Sequence, residues 1–161
     1  MSDWQLAQLN IARMLAPADS PQLAEFFANL NRINALADAA PGFVWRLESE
    51  TGSAISTHLF GESALVNMSV WGDIESLHDY VYRSAHIEIM AKRKLWFEQL
   101  REAYSVLWWV KAGSIPNLLQ AREKLELLKS GGSSQAAFTF KKAFPPPGRS
   151  AEGDGLHEFD G

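Results

Sequence analysis

Cysteine is absent from this 161-residue chain, which excludes disulfide bonds, a thiol nucleophile and a zinc–thiolate site. No apolar run approaches the roughly 20 residues that a membrane-spanning helix needs. The first residues also lack the basic segment and apolar run of a signal peptide. From these absences we expect a soluble, cytoplasmic protein with no membrane partner.

Positive charge is scarce as well. The net charge is −4, and the densest basic run, Lys92–Lys94, falls on an amphipathic segment. Proteins that bind nucleic acid carry clustered Lys and Arg to neutralise phosphates, so we expect no nucleic-acid partner. The HExxH, CxxC, GxSxG and glycine-rich phosphate-loop motifs are missing, and Asp and Glu do not cluster. The sequence therefore predicts no metal site and no cofactor.

A hydrophobic fraction of 47% and six tryptophans are typical of a folded domain with a sizeable core. We assign residues 1–140 to one such domain. Residues 141–161 contain three consecutive prolines and a Gly-, Asp- and Glu-rich end that can bury little surface. We expect this tail to be disordered.

The hydrophobic periodicity predicts an α+β fold. Alternation predicts strands at 4–14, 43–48, 65–71 and 105–111, while helical spacing predicts helices at 21–36, 73–100 and 118–129. The order of the first six elements is that of the ferredoxin-like βαββαβ plait, with an added C-terminal helix and a short strand at 137–140. In that arrangement one sheet face would be bare and apolar, so we expect two such sheets to pack face to face in a homodimer.

A candidate pocket follows from the third strand, where Asn67, Ser69 and Trp71 share one face. The helix after it carries a stripe of polar and aromatic residues at helical spacing, and Asn10 and Gln8 on the first strand would join the strand face. Polar groups interleaved with aromatics are typical of a small-molecule site. The stripe consists of Tyr82, His86, Ile89, Arg93 and Trp96.

The residue types allow more than one role for each position. His86 could act as a general base or as a metal or haem ligand, or it could bond a backbone carbonyl. Asn67 could donate to a carbonyl or a developing oxyanion, or satisfy a loop. Arg93 could anchor an anionic substrate or pair with a nearby Glu, and Trp96 could line the pocket or pack in the core.

Several short segments resemble the DUF3291 family, an uncharacterised bacterial family. They are Leu9–Arg13, Asn67–Trp71, Tyr82–His86, Trp96-Phe97, Leu107–Val110 with Gly113 and Pro116, and Phe138–Phe140. The resemblance covers residues 4–140, and the family name carries no established activity.

More distantly, the chain resembles the dimeric α/β-barrel superfamily, which includes cofactor-free monooxygenases of antibiotic biosynthesis. Those enzymes use an Asn and a Trp four residues apart on the third strand, and Asn67 and Trp71 have this spacing. Their further tyrosine corresponds to Leu77 here. The resemblance implies oxygenation of an electron-rich aromatic or polyketide-like substrate, with Asn67, Trp71 and His86 as catalytic residues. Asn10, Ser69, Tyr82, Arg93 and Trp96 would bind the substrate.

The same superfamily implies two alternatives. Haem-degrading members use an Asn on the first strand and a Trp on the third, which Asn10 and Trp71 match. Their haem-binding His would fall near Val81 or Tyr82, a turn before His86. The first alternative is a haem-binding or haem-degrading protein with His86 as ligand, and the second is a dimeric ligand-binding protein without catalysis.

Overall fold

The computed structural model describes residues 3–48, 58–61, 63–83, 91–98 and 104–148. Four strands and three helices account for most of these residues. In chain order they are β1 (Trp4–Arg13), α1 (Ala24–Ala39), β2 (Phe43–Arg46), β3 (Ala64–Trp71), α2 (Ile74–Arg83), β4 (Ser105–Lys111) and α3 (Leu118–Gly131).

The strands form one antiparallel sheet in the order β2-β3-β1-β4. The longest pairing joins β1 to β3 and runs from Leu6 opposite Trp71 to Arg13 opposite Ala64. Because directly paired residues point to the same side of a sheet, this register fixes which side chains share a face. The sheet order and the helices between strands confirm the predicted ferredoxin-like α+β fold.

The two sheet faces bury separate sets of apolar residues. On one face, Leu6 and Trp71 pack with Ala37 of α1 and with Leu77 of α2. On the opposite face, Val66, Met68 and Val70 pack with residues of α3. We call the first the α1/α2 face and the second the α3 face.

The expectation of a bare second sheet face is wrong. Leu118, Ala121, Leu125 and Leu128 of α3 pack on that face, and Met68 beneath them is 2% exposed. The predicted C-terminal helix is therefore part of the core of the single chain. The homodimer stays a prediction, but its proposed sheet-to-sheet interface is occupied by α3.

A β-bulge in β2 changes which residues face Trp71. Phe43 pairs with Trp71 and Trp45 with Val70, so Val44 is an extra residue between them and lies exposed. Phe43 consequently packs edge-on against Trp71, whereas Trp45 packs on the α3 face. Regular alternation would put Phe43 and Trp45 on one side of the sheet, and the bulge is the reason that they face opposite sides.

The second long helix ends earlier than the predicted residue 100. Residue 91 is helical, but Arg93–Leu95 form a 3₁₀ turn and Phe97 makes an isolated bridge with Met14. A 3₁₀ turn has 3.0 residues per turn instead of 3.6, so the predicted stripe of side chains does not extend unchanged to Trp96.

The packed chain also extends past the predicted boundary at residue 140. Ala143 is fully buried, and the Phe144 carbonyl accepts a hydrogen bond from Trp109 Nε1 at 2.9 Å. Residues 141–148 are therefore part of the domain, while 149–161 lie outside the described residues. The predicted strand at 137–140 is reduced to one bridge, between Phe138 and Leu107 at the free edge of β4.

Candidate active site

Four polar side chains lie together on the α1/α2 face, in the middle of the sheet. Gln8 pairs with Ser69, and Asn10 pairs with Asn67 one step further along the same two strands. Alternation places all four on one face, since they occupy every second position of β1 and β3. We call Gln8, Asn10, Asn67 and Ser69 the polar row.

Three residues of the polar row are joined by hydrogen bonds. Gln8 Nε2 donates to Asn67 Oδ1 at 2.6 Å and to Ser69 Oγ at 2.8 Å. Gln8 is 8% exposed and Ser69 is 5% exposed. Buried polar groups are costly unless they are paired, so these two bonds account for a glutamine in the sheet interior.

Trp71 closes one end of the polar row and is held from three sides. Its indole Nε1 donates to Ser69 Oγ at 2.8 Å. Its rings stack on Tyr80 of α2 at a centroid distance of 5.2 Å and meet Phe43 edge-on at 5.5 Å. The Tyr80 hydroxyl donates to the Ile33 carbonyl of α1 at 3.1 Å. The indole N–H is therefore engaged within the protein, and Trp71, which is 1% exposed, forms a packed end to the polar row.

A second aromatic cluster closes the other end. Trp96 is 1% exposed and packs with Leu65 of β3 and with Phe26 of α1. Because Leu65 and Trp71 are six residues apart on one strand, the two clusters are separated by roughly 20 Å along β3. The polar row occupies the interval between them.

Two amide groups of the row remain available to a ligand. Within the described residues, the Asn10 side chain and Asn67 Nδ2 make no hydrogen bond to the protein. Both residues are half-buried. An amide that is partly withdrawn from water and lies between aromatic clusters suits recognition of one polar group on an aromatic molecule.

The other sequence-predicted residues lie elsewhere or outside the description. Tyr82 packs against His78 and Phe140, away from the polar row, and Arg93 is exposed on the 3₁₀ turn. His86 and Ile89 lie outside the described residues. The structure thus brings Asn10, Asn67, Ser69 and Trp71 together, and it places Trp96 on the same face at the far end.

The sequence analysis named Gln8 only as a residue that would join the strand face, and it did not identify Tyr80. The signal for Tyr80 was present, because Ile74, Leu77 and Tyr80 repeat at intervals of three and define the stripe of α2 that meets the sheet. In the described part of the chain, His, Asp and Glu do not gather in groups of three or more that could hold a metal.

Comparison with known families identifies the chain. The model of DUF3291, described as a domain of unknown function, matches residues 5–154. The chain belongs to the DUF3291 family. The match confirms the family predicted from the sequence and extends past residue 140. Among curated proteins no match was found.

Several solved structures are similar to this DUF3291 protein at low sequence identity. SnoaB of Streptomyces nogalater, a cofactor-independent oxygenase, has 16% identity and a TM-score of 0.46 over 71% of this chain and 97% of its own. PA3566 of Pseudomonas aeruginosa has 10% identity and a TM-score of 0.48 over 71% and 98%. NE2512 of Nitrosomonas europaea, of unknown function, has 17% identity and a TM-score of 0.45 over 71% and 97%.

No helix within the described ranges has both the length and the apolar character needed to cross a bilayer.

Proposed function

We propose that this protein binds an electron-rich aromatic molecule along the polar row and oxygenates it without a cofactor. The observation that carries the proposal is the pair of open amides, Asn67 Nδ2 and the Asn10 side chain, on a sheet face closed by Trp71 at one end and Trp96 at the other. In this proposal the two buried tryptophans mark the ends of the site, and the amides between them orient the ligand.

The chemistry requires a substrate whose carbanion can reduce O2. A base removes a proton from a ring CH2 group, and the carbanion passes one electron to O2, giving superoxide and a substrate radical. These two combine to form a C–O bond, and the resulting peroxide takes up a proton. Loss of water then leaves a carbonyl, so that overall CH2 and O2 give C=O and H2O.

In this scheme the donor at Asn67 holds the substrate oxygen on which negative charge develops. Hydrogen-bond donors aimed at such an oxygen lower the barrier, and removing one costs about 10²–10³ in rate in well-studied hydrolases. His86 is the base that the sequence predicts. It lies outside the described residues, and its role remains part of the proposal.

Oxygen uptake with 1,8-dihydroxyanthrone as probe tests the proposal. We expect the wild-type protein to accelerate uptake above the spontaneous rate and Asn67→Ala to lose most of that acceleration. Asn31→Ala, the same change at an exposed position of α1, is the matched control and should retain it. Thermal melts by circular dichroism establish that both variants fold. No acceleration by the wild type, or equal loss in the two variants, contradicts the proposal.

In the haem alternative His86 would be the haem ligand, and Asn10 and Trp71 correspond to the Asn and Trp of haem-degrading relatives. Titration with haemin separates it from oxygenation. A Soret band that grows to one equivalent and is lost in His86→Ala would favour the haem protein, whereas binding of the anthrone without oxygen uptake would favour the ligand-binding protein without catalysis.

A further inference from the structure

Gln8 forms hydrogen bonds with two other members of the polar row, Asn67 and Ser69. It lies directly opposite Ser69 and reaches diagonally to Asn67 on the same strand. An isolated pair on neighbouring strands would leave Asn67 free to rotate about its side-chain bonds. Gln8 instead holds Asn67 by a short bond of 2.6 Å.

Each hydrogen bond in this network has a defined donor and acceptor. An indole N–H can only donate, so Ser69 Oγ accepts from Trp71. The Gln8 amide nitrogen then donates its two hydrogens, one to Ser69 Oγ and one to Asn67 Oδ1. Asn67 Oδ1 is thus turned toward Gln8, and the Asn67 NH2 group makes no hydrogen bond within the described residues.

We infer that Gln8 is a positioning residue that fixes the amide of Asn67 with its donor side toward the ligand. Turning the Asn67 amide by half a rotation would place its NH2 group against the NH2 group of Gln8, and two donors cannot bond to each other. The polar row consequently selects ligands that offer an acceptor oxygen at this point over ligands that offer a donor. This selectivity rests on the proposed function, whereas the orientation of Asn67 does not.

The variant Gln8→Glu tests the inference, because it keeps the shape of the side chain and makes it an acceptor only. Burial raises the pKa of a carboxyl, but hydrogen bonds donated by the Ser69 hydroxyl and the Asn67 NH2 group favour the carboxylate, so we expect it to be ionised at about pH 8. Asn67 should then turn its NH2 group toward residue 8. Gln120→Glu, which adds the same charge on α3, is the matched control.

The first measurement is of the Asn67 side-chain amide by ¹⁵N NMR in the full-length protein. In the wild type its hydrogens should exchange quickly with water. In Gln8→Glu they should exchange at least about tenfold more slowly, as expected of a charge-assisted hydrogen bond, and Gln120→Glu should match the wild type. Equal exchange in the two variants would overturn the positioning role of Gln8.

The second measurement compares two rigid tricyclic probes of similar size, fluorenone with a carbonyl acceptor and carbazole with an N–H donor. The wild type should bind fluorenone about tenfold more tightly, the effect of one hydrogen bond at this kind of site. Gln8→Glu should reverse or abolish this preference. A preference that survives in Gln8→Glu, or wild-type binding of neither probe, would overturn the selectivity.

A wild type that binds neither probe also counts against the proposed function, but the amide measurement still decides whether Gln8 orients Asn67. If Gln8→Glu does not fold, Gln8→Met serves, since it has a similar length and no hydrogen-bonding group. Without the bond from residue 8, rotation of Asn67 about its side-chain bonds is less restrained, so its Nδ2 resonances should shift and the ¹⁵N order parameter of its amide should fall below the wild-type value. Unchanged Asn67 resonances in Gln8→Met would equally overturn the inference.

Discussion

Replacement of Ser69 by Ala is the sharpest test of the network beneath the candidate site. Ser69 Oγ accepts from Trp71 Nε1 and from Gln8 Nε2, both at 2.8 Å. Gln8 keeps its bond to Asn67 in the variant, but the indole N–H of Trp71 loses its acceptor, and Trp71 is 1% exposed. A buried donor left unpaired costs about 1–3 kcal/mol, so we expect Ser69→Ala to lower the free energy of unfolding by about 2 kcal/mol.

Urea unfolding followed by circular dichroism measures this loss. With an m-value of about 2 kcal/mol/M, the midpoint should fall by about 1 M. A double-mutant cycle with Trp71→Phe separates the hydrogen bond from other effects of the change. Phenylalanine has no donor at this position, so Ser69→Ala should cost much less in the Trp71→Phe background.

The reasoning would be refuted if the losses of unfolding free energy in Ser69→Ala and Trp71→Phe were additive in the double variant. Mutations that do not interact add to within about 0.5 kcal/mol, whereas the network requires a coupling of at least about 1 kcal/mol between Ser69 and Trp71. Additive losses would mean that the indole N–H finds another acceptor, and Trp71 would then not be held by the polar row.

Three further changes test the scaffold. Leu125→Ala should lower the free energy of unfolding by about 2–5 kcal/mol in urea titrations, because Leu125 of α3 is 4% exposed against the sheet; a loss below about 1 kcal/mol would contradict the packing of α3. Gly42→Ala should cost about 2 kcal/mol or more by calorimetry, because Gly42 has φ of +85° and an added Cβ would lie 2.5 Å from Ser76 Cβ. Asn117→Ala should cost about 1 kcal/mol, because its side chain accepts from the Gln120 backbone N–H at 2.8 Å and caps α3; an unchanged melting temperature would refute the cap.

The strand carrying the site was predictable because its alternation is regular. From Leu65 to Trp71 no bulge intervenes, so the sequence alone placed Asn67, Ser69 and Trp71 on one face. In β2 one extra residue, Val44, reverses the phase between Phe43 and Trp45. In so short a strand the apolar residues still alternate in the sequence when a bulge is present, so the periodicity could not reveal the bulge.

The helical half of the candidate site was harder to predict. The chosen stripe began at Tyr82, whereas the side of α2 that packs on Trp71 carries Tyr80 two residues earlier. At about 100° per residue, two positions change the direction of a side chain by about 160°. The other sheet face is covered by α3 through contacts between residues that are distant in sequence. The amphipathic pattern of α3 is equally consistent with a helix that packs elsewhere on the domain surface.

A crystal structure with 1,8-dihydroxyanthraquinone, the stable carbonyl product expected from the anthrone probe, tests the central claim most directly. We predict that the rings lie along the polar row between Trp71 and Trp96, with one oxygen within hydrogen-bond distance of Asn67 Nδ2. A well-ordered ligand bound elsewhere, with Asn10 and Asn67 contacting only protein and water, would contradict the claim that the polar row is the functional site.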